Sequence, residues 1–179
     1  DQTLEQTIKL IFNSSLLVGN PVLCWHAGEP LTAKISFYKK ALQYIQKHNK
    51  NHIKYTNNIQ TNGVLIDDEW CEFFKTHNFS IGLSVDGPDF IHNKFRLNWA
   101  NKGTHHLVQK GINKLKEHKI PINGICVLTG VKQQDLENKT HTYIDYIELL
   151  KNIHELNMNT IDNYRKSNNL DISNDSAFE

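Results

Sequence analysis

Val22-Leu23-Cys24-Trp25-His26-Ala27-Gly28-Glu29-Pro30 decides how this chain reads. The apolar run Val22 to Trp25 follows the stop-and-turn signal Gly19-Asn20-Pro21 and makes a short buried strand. Gly28-Glu29-Pro30 breaks it, and Thr32 stands where a helix cap is needed. Ile35, Tyr38, Leu42 and Ile45 then share one helical face, with Lys39, Lys40 and Lys47 largely outward. Strand, glycine-bearing polar loop and helix in that order form the repeating unit of a parallel α/β fold.

The same grammar extends in both directions. Upstream, Leu4, Ile8, Ile11 and Phe12 recur at helical spacing. Downstream, a second strand is expected over about Ile53 to Ile59 and ends in the loop Gln60-Thr61-Asn62-Gly63. An amphipathic helix follows around Trp70, Phe73 and Phe74, three core residues by default, with Asp67, Asp68 and Glu69 near its positive N-terminal end. Ser80 to Val85 reads as a third strand, broken by Asp86-Gly87-Pro88 before an irregular stretch to Gly103. Thr104 then looks like a cap for a helix carrying Val108, Ile112 and Leu115, and Ile122 to Leu128 supplies a fourth strand. Another helix is expected from about Thr142 to Leu156, and residues 165–179 read as a frayed polar tail. Strands thus recur about every 30 to 45 residues with helices between, which calls for parallel strands joined by right-handed crossovers.

Bulk properties narrow the function. At 179 residues the chain falls short of the roughly 250 of a closed eight-stranded barrel, so one domain is expected, and an incomplete one. A net charge of +1 with lysines dispersed offers no footprint for nucleic acid. No apolar run approaches a membrane span, and Asp1 to Glu5 are too polar for a signal peptide, so a cytoplasmic protein is expected. Cys24, Cys71 and Cys126 stand too far apart for a disulfide framework or a close-spaced ligand set, and read as reduced, mostly buried thiols.

Ligands of parallel α/β folds bind beyond the carboxyl ends of the strands. The candidate loops are therefore His26 to Pro30, Gln60 to Gly63, Ser84 to Gly87 and Leu128-Thr129. Each singled-out residue also has a plainer reading. Glu29 and Asp86 could be turn formers, Arg96 a solvated surface residue, and His26 and the pair His105-His106 lack the further partners a metal site needs.

Taken together, these loops carry a resemblance. Trp25-His26-Ala27-Gly28-Glu29-Pro30-Leu31 resembles the Gly-Gly-Glu-Pro motif of radical S-adenosylmethionine (SAM) enzymes, with alanine for the first glycine. Gln60-Thr61-Asn62-Gly63, Asp68-Glu69-Trp70-Cys71, Ser84-Val85-Asp86-Gly87-Pro88, then His92, Arg96 and Gly103-Thr104-His105 follow the order and spacing of SPASM-type peptide maturases. The cyclophane-forming maturases are the nearer likeness, anaerobic sulfatase-maturating enzymes a more distant one, over about residues 4–130.

The resemblance implies a partial (β/α)6 TIM-like barrel over residues 1–164. It also implies an enzyme that abstracts hydrogen from a ribosomally made precursor peptide with a 5′-deoxyadenosyl radical and crosslinks side chains. SAM, a [4Fe–4S] cluster and an electron donor such as flavodoxin or ferredoxin are implied with it. Backbone around Ala27, Gly28 and Glu29 would meet the ammonium group of SAM, and Ser84 and Arg96 its carboxylate. Gln60 and Asn62 would border cofactor and substrate, Asp86 would belong to the cofactor site, and backbone near Val127 and Leu128 would lie against adenine.

One departure matters. The family's Cys-x-x-x-Cys-x-x-Cys loop would fall upstream of Asp1, and the three cysteines present do not have its spacing. The chain by itself is therefore expected to be inactive, because the radical chemistry belongs to the cofactors. The rival expectation is a split or degenerate barrel that binds a peptide or partner subunit without catalysis. An ordinary barrel hydrolase or isomerase finds no nucleophile–base pair in its support.

Overall fold

The computed structural model describes residues 2–127. The helix expected over 142–156, the tail from 165 and Leu128 lie outside them. The element order is α1 (Gln2–Asn13), β1 (Val22–Trp25), a 3₁₀ turn (Pro30–Ala33), α2 (Lys34–His48), β2 (Thr56–Thr61), α3 (Asp68–Thr76), β3 (Phe79–Ser84), α4 (Asp89–Phe95), α5 (His105–Glu117) and β4 (Ile122–Ile125).

The chain divides into two compact units, Asp1–Leu83 with Leu107–Pro121 and Ser84–His106 with Ile122–Glu179. In the first, β1, β2 and β3 run parallel, Val22 opposite Thr56 and Asn57 opposite Phe79. Two apolar clusters support them. Ile8 and Phe12 of α1 pack with Ala41 and Ile45 of α2, and Phe12 meets Tyr55 edge to face at 5.7 Å. Tyr38, Trp70, Phe73, Phe74 and Phe79 form an aromatic group whose centroid spacings of about 5–6 Å suit edge-on and tilted ring contacts. Asp67 caps α3 by accepting from Trp70 N at 2.9 Å, so the acidic residues sit at the helix end that favours them.

In the second unit, Ser84 and Val85 lead the chain out of β3 beside β4, with Val85 N–H donating to the Ile125 carbonyl at 3.0 Å.

Four local expectations need correcting. Thr32 does not cap α2: its hydroxyl donates to the Glu29 carbonyl at 2.7 Å within the 3₁₀ turn, and Glu29 caps that turn instead. β2 begins at Thr56 rather than Ile53, because the Asn49 amide engages both Ile53 N and Ile53 O at 2.8 Å and withdraws them from the ladder. β1 is not buried. Val22 is 62% exposed and Cys24 is exposed, since β1 pairs only with β2 among the described residues. Nor is the stretch after Pro88 wholly irregular, for it holds α4. At seven residues α4 is too short for apolar periodicity to reveal, and its first turn follows Pro88 directly.

Candidate functional site

The loop after β1 turns through two left-handed residues, Ala27 (φ 91°) and Gly28 (φ 57°). Glycine adopts such values freely, whereas an alanine β-carbon crowds its own backbone there. The turn delivers Glu29, whose carboxylate is fully engaged. Oε1 accepts from Leu31 N at 3.1 Å and from Thr61 Oγ1 at 2.6 Å, and Oε2 accepts from Asn62 N at 2.8 Å. The loops after β1 and β2 are thereby stapled together by a charge-assisted set of bonds. Glu29 also acts on Tyr38, whose hydroxyl donates to Pro30 O at 2.8 Å. Burial, helped by the Glu29 charge, pushes the Tyr38 phenol up to about 12.

Thr61, part of the Gln60 to Gly63 loop but not singled out from the sequence, is the residue that ties this loop together. Buried, it donates to Glu29 and accepts from Gly63 N at 3.0 Å, while Asn62 Oδ1 accepts from Val64 N at 2.9 Å. Its position as the last residue of β2, beside two flagged neighbours, was the available signal. Gln60 lies over Gly82 of β3, its register partner, and any β-carbon at Gly82 would run into the Gln60 amide. Gly82 therefore makes the room that Gln60 occupies.

The second unit holds the other group of residues. Asp86 is 4% exposed. Its Oδ2 accepts from Arg96 Nε, and its Oδ1 accepts from Arg96 Nη2 at 2.9 Å and from Val127 N at 3.0 Å. Arg96 is thus no free surface residue. His92 is fully buried behind this pair. Asp86 N, which can only donate, points at His92 Nδ1 at 3.3 Å, so that nitrogen is the acceptor and the proton sits on Nε2. Nε2–H donates to Thr104 Oγ1 at 3.1 Å, and the Thr104 hydroxyl passes on to the Arg96 carbonyl at 2.9 Å.

Burial, reinforced by the Arg96 and His105 charges and opposed by Asp86, holds His92 down at about 4. Thr104 is therefore a lock on the Arg96 backbone. The first N–H of α5 goes to Asn93 Oδ1, which accepts from His105 N at 3.0 Å, in place of the cap expected from Thr104.

Among the predicted residues, the structure joins Glu29 with Asn62 and Asp86 with Arg96. Ser84 ends β3, half-buried. The cysteines do not answer to the expectation of mostly buried thiols: Cys71 is buried, Cys126 half-buried and Cys24 exposed. Burial and the Asp68 charge raise the Cys71 thiol to about 11, and burial with Asp86 raises Cys126 to about 12. Both stay protonated near neutral pH, unlike the thiolates that bind metal. Among the described residues no three of His, Cys, Asp and Glu gather as a metal site.

Comparison with known proteins assigns the family. A profile of the radical SAM superfamily matches residues 17–139, and the chain belongs to that family. A serine-type anaerobic sulfatase-maturating enzyme of Bacteroides thetaiotaomicron is 40% identical over 128 residues, 72% of this chain and 30% of that protein. The cysteine-type enzyme of Clostridium perfringens is 34% identical over 143 residues, 80% and 38% respectively. The chain thus spans about a third of the length of these relatives. The solved structure of native anSMEcpe with bound AdoMet and Kp18Cys peptide superposes with a TM-score of 0.74 at 31% identity, over 86% of this chain and 40% of that one.

The α/β fold with parallel strands is the radical SAM fold. The family uses SAM and a [4Fe–4S] cluster, and AdoMet is bound in the matching structures. Among the described residues no helix is long and apolar enough to cross a membrane.

Proposed function

We propose that this chain is the SAM-binding part of a radical SAM enzyme acting on a ribosomally made peptide, with side-chain crosslinking to a cyclophane as the outcome. The observation that carries the reading is the built geometry of its motifs. The Gly28-Glu29-Pro30 turn is stapled to Thr61-Asn62, and the Ser-Val-Asp-Gly segment is tied to Arg96. When bound, SAM and the cluster supply a 5′-deoxyadenosyl radical that removes a hydrogen atom from the peptide.

The chain's own residues bind and orient. In the first unit the carbonyls of the Ala27-Gly28 turn would accept from the SAM ammonium group. The Glu29 carbonyl already accepts from Thr32 N and Oγ1, so its part is to hold the turn rather than to touch the ligand. Gln60 and Asn62 would border the ligand. In the second unit Ser84 and Arg96 would take its carboxylate, and backbone at Val127 and Leu128 would flank adenine. The described residues do not gather a thiolate set for the cluster.

Support for a peptide substrate comes from the relatives, which are named for maturing sulfatases and one of which is solved with a peptide. A flavodoxin or ferredoxin would deliver the electron. The test is anaerobic reconstitution of this chain beside a version extended upstream, reading iron and sulfide content, 5′-deoxyadenosine release and the mass of a peptide substrate. Cluster uptake, SAM cleavage and loss of two hydrogens from the peptide in the extended form support the reading. SAM cleavage with no crosslink would remove the cyclophane assignment. Failure of both forms to take up a cluster would favour a non-catalytic barrel that binds a peptide or partner.

A further inference from the structure

We propose that Asp86 is a positioning residue that aims the Arg96 guanidinium at the SAM carboxylate, an inference that rests on the reading of Arg96 given above. A guanidinium carries five N–H groups in one plane. Asp86 engages the side of that fork, taking Nε–H and one N–H of Nη2. Of the remaining three N–H groups, one on Nη1 and one on Nη2 form the end edge of the fork, where the Nη1–Nη2 pair can grip a second carboxylate two-handed. The Arg96 side chain keeps 27% of its surface exposed while that of Asp86 keeps 5%, so the fork is held from its buried side.

Asp86 is itself fixed on both flanks. Its backbone N–H is held by His92 Nδ1, and its Oδ1 holds Val127 N just beyond β4. Through Thr104, His92 also reaches the Arg96 carbonyl, so both ends of the Asp86–Arg96 pair are tied to one buried imidazole. An arginine has many rotamers, and pinning it before the ligand arrives removes an ordering cost from binding.

Charge and geometry make opposite predictions for the loss of the Asp86 carboxylate. Asp86 neutralises Arg96, so by charge alone Asp86→Asn should tighten binding of an anionic group. By geometry it should weaken binding, because an amide cannot accept both Arg96 donors and sets an N–H against one of them.

The experiment is equilibrium binding of SAM, and of decarboxylated SAM, to the reconstituted holoenzyme containing this segment, with circular dichroism confirming each variant folds. Arg96→Ala tests the underlying reading and should lose at least tenfold in affinity for SAM while binding decarboxylated SAM nearly as well as the parent. Asp86→Asn should show the same selective loss, several-fold or more. Equal loss for both ligands, or tighter SAM binding, would overturn the positioning role while leaving the Arg96 reading intact. An Arg96→Ala protein that keeps full SAM affinity would instead remove the reading itself. Should Asp86→Asn not fold, Arg96→Lys takes its place. A lysine ammonium cannot serve two carboxylates in one plane, so it should lose SAM selectively, and undiminished SAM affinity would refute the shared fork.

Discussion

Ala27 is a residue whose backbone argues against its side chain. At φ 91° an alanine is strained, while the next residue, Gly28, takes its left-handed angle without penalty. Ala27→Gly is expected to stabilise the fold by about 1 kcal/mol, the usual scale for relieving a left-handed non-glycine residue, read as a higher thermal midpoint. Glu29 behaves oppositely, because everything around it is a donor. Glu29→Gln would turn an amide NH2 toward the Asn62 or Thr61 donor and is expected to cost roughly 1–3 kcal/mol in chemical denaturation. The sequence flagged Glu29 but could not say whether its side chain or its backbone mattered. That depends on Thr61 and Asn62, more than thirty positions away, arriving at its oxygens.

The first three strands were legible because each is a short apolar or β-prone run followed by a glycine-bearing loop, α1, α2 and α5 because they run three turns or more with an apolar face, and the nine-residue α3 because Trp70, Phe73 and Phe74 follow an acidic first turn. β1 matched residue for residue, yet its burial did not, since an apolar run says nothing about which edge of a sheet it occupies. α4 escaped because two helical turns give too few residues to show a period. Gly111 is a further element-scale lesson. Within α5, propensity alone would favour alanine there by about 1 kcal/mol. A β-carbon at Gly111, however, would be driven into the Gly63 carbonyl oxygen and press on Ile66 Cβ at 3.3 Å. Backbone cannot yield as a flexible side chain can, and overpacking typically costs about 1–3 kcal/mol. Gly111→Ala should therefore be destabilising on balance, and an unchanged or raised urea midpoint would show that α5 can shift away.

For the molecule as a whole, His92 sets an acid limit. Its folded value, about 4, lies below the 6.5 of an unfolded histidine, so the unfolded chain binds the extra proton first. The stability this gives is fully present above about pH 6.5 and is lost as pH falls toward 4, on the order of 3 kcal/mol in all. His105, also lowered by burial, acts in the same direction. Denaturant midpoints should fall across that window, while the His92 ring, followed by nitrogen NMR, should keep its Nε2–H tautomer to below pH 5. Protonation of His92 near pH 6.5 would contradict the arrangement of Asp86 and Thr104 around it. Sequence reading placed His92 in the right neighbourhood but could not assign its tautomer, which rests on one backbone N–H from Asp86.

The Glu29 staple also bears on alignment. Parallel strands have no hairpin to set their register, and sliding one strand by a single residue would send every side chain to the opposite face. With one carboxylate gripping the last residue of β2 and the next amide beyond it, β1 and β2 have a registration mark at the end where their loops emerge. Insertions in the long connection between them can come and go without shifting those loops, whereas a residue gained or lost between Trp25 and Glu29 would move the mark itself.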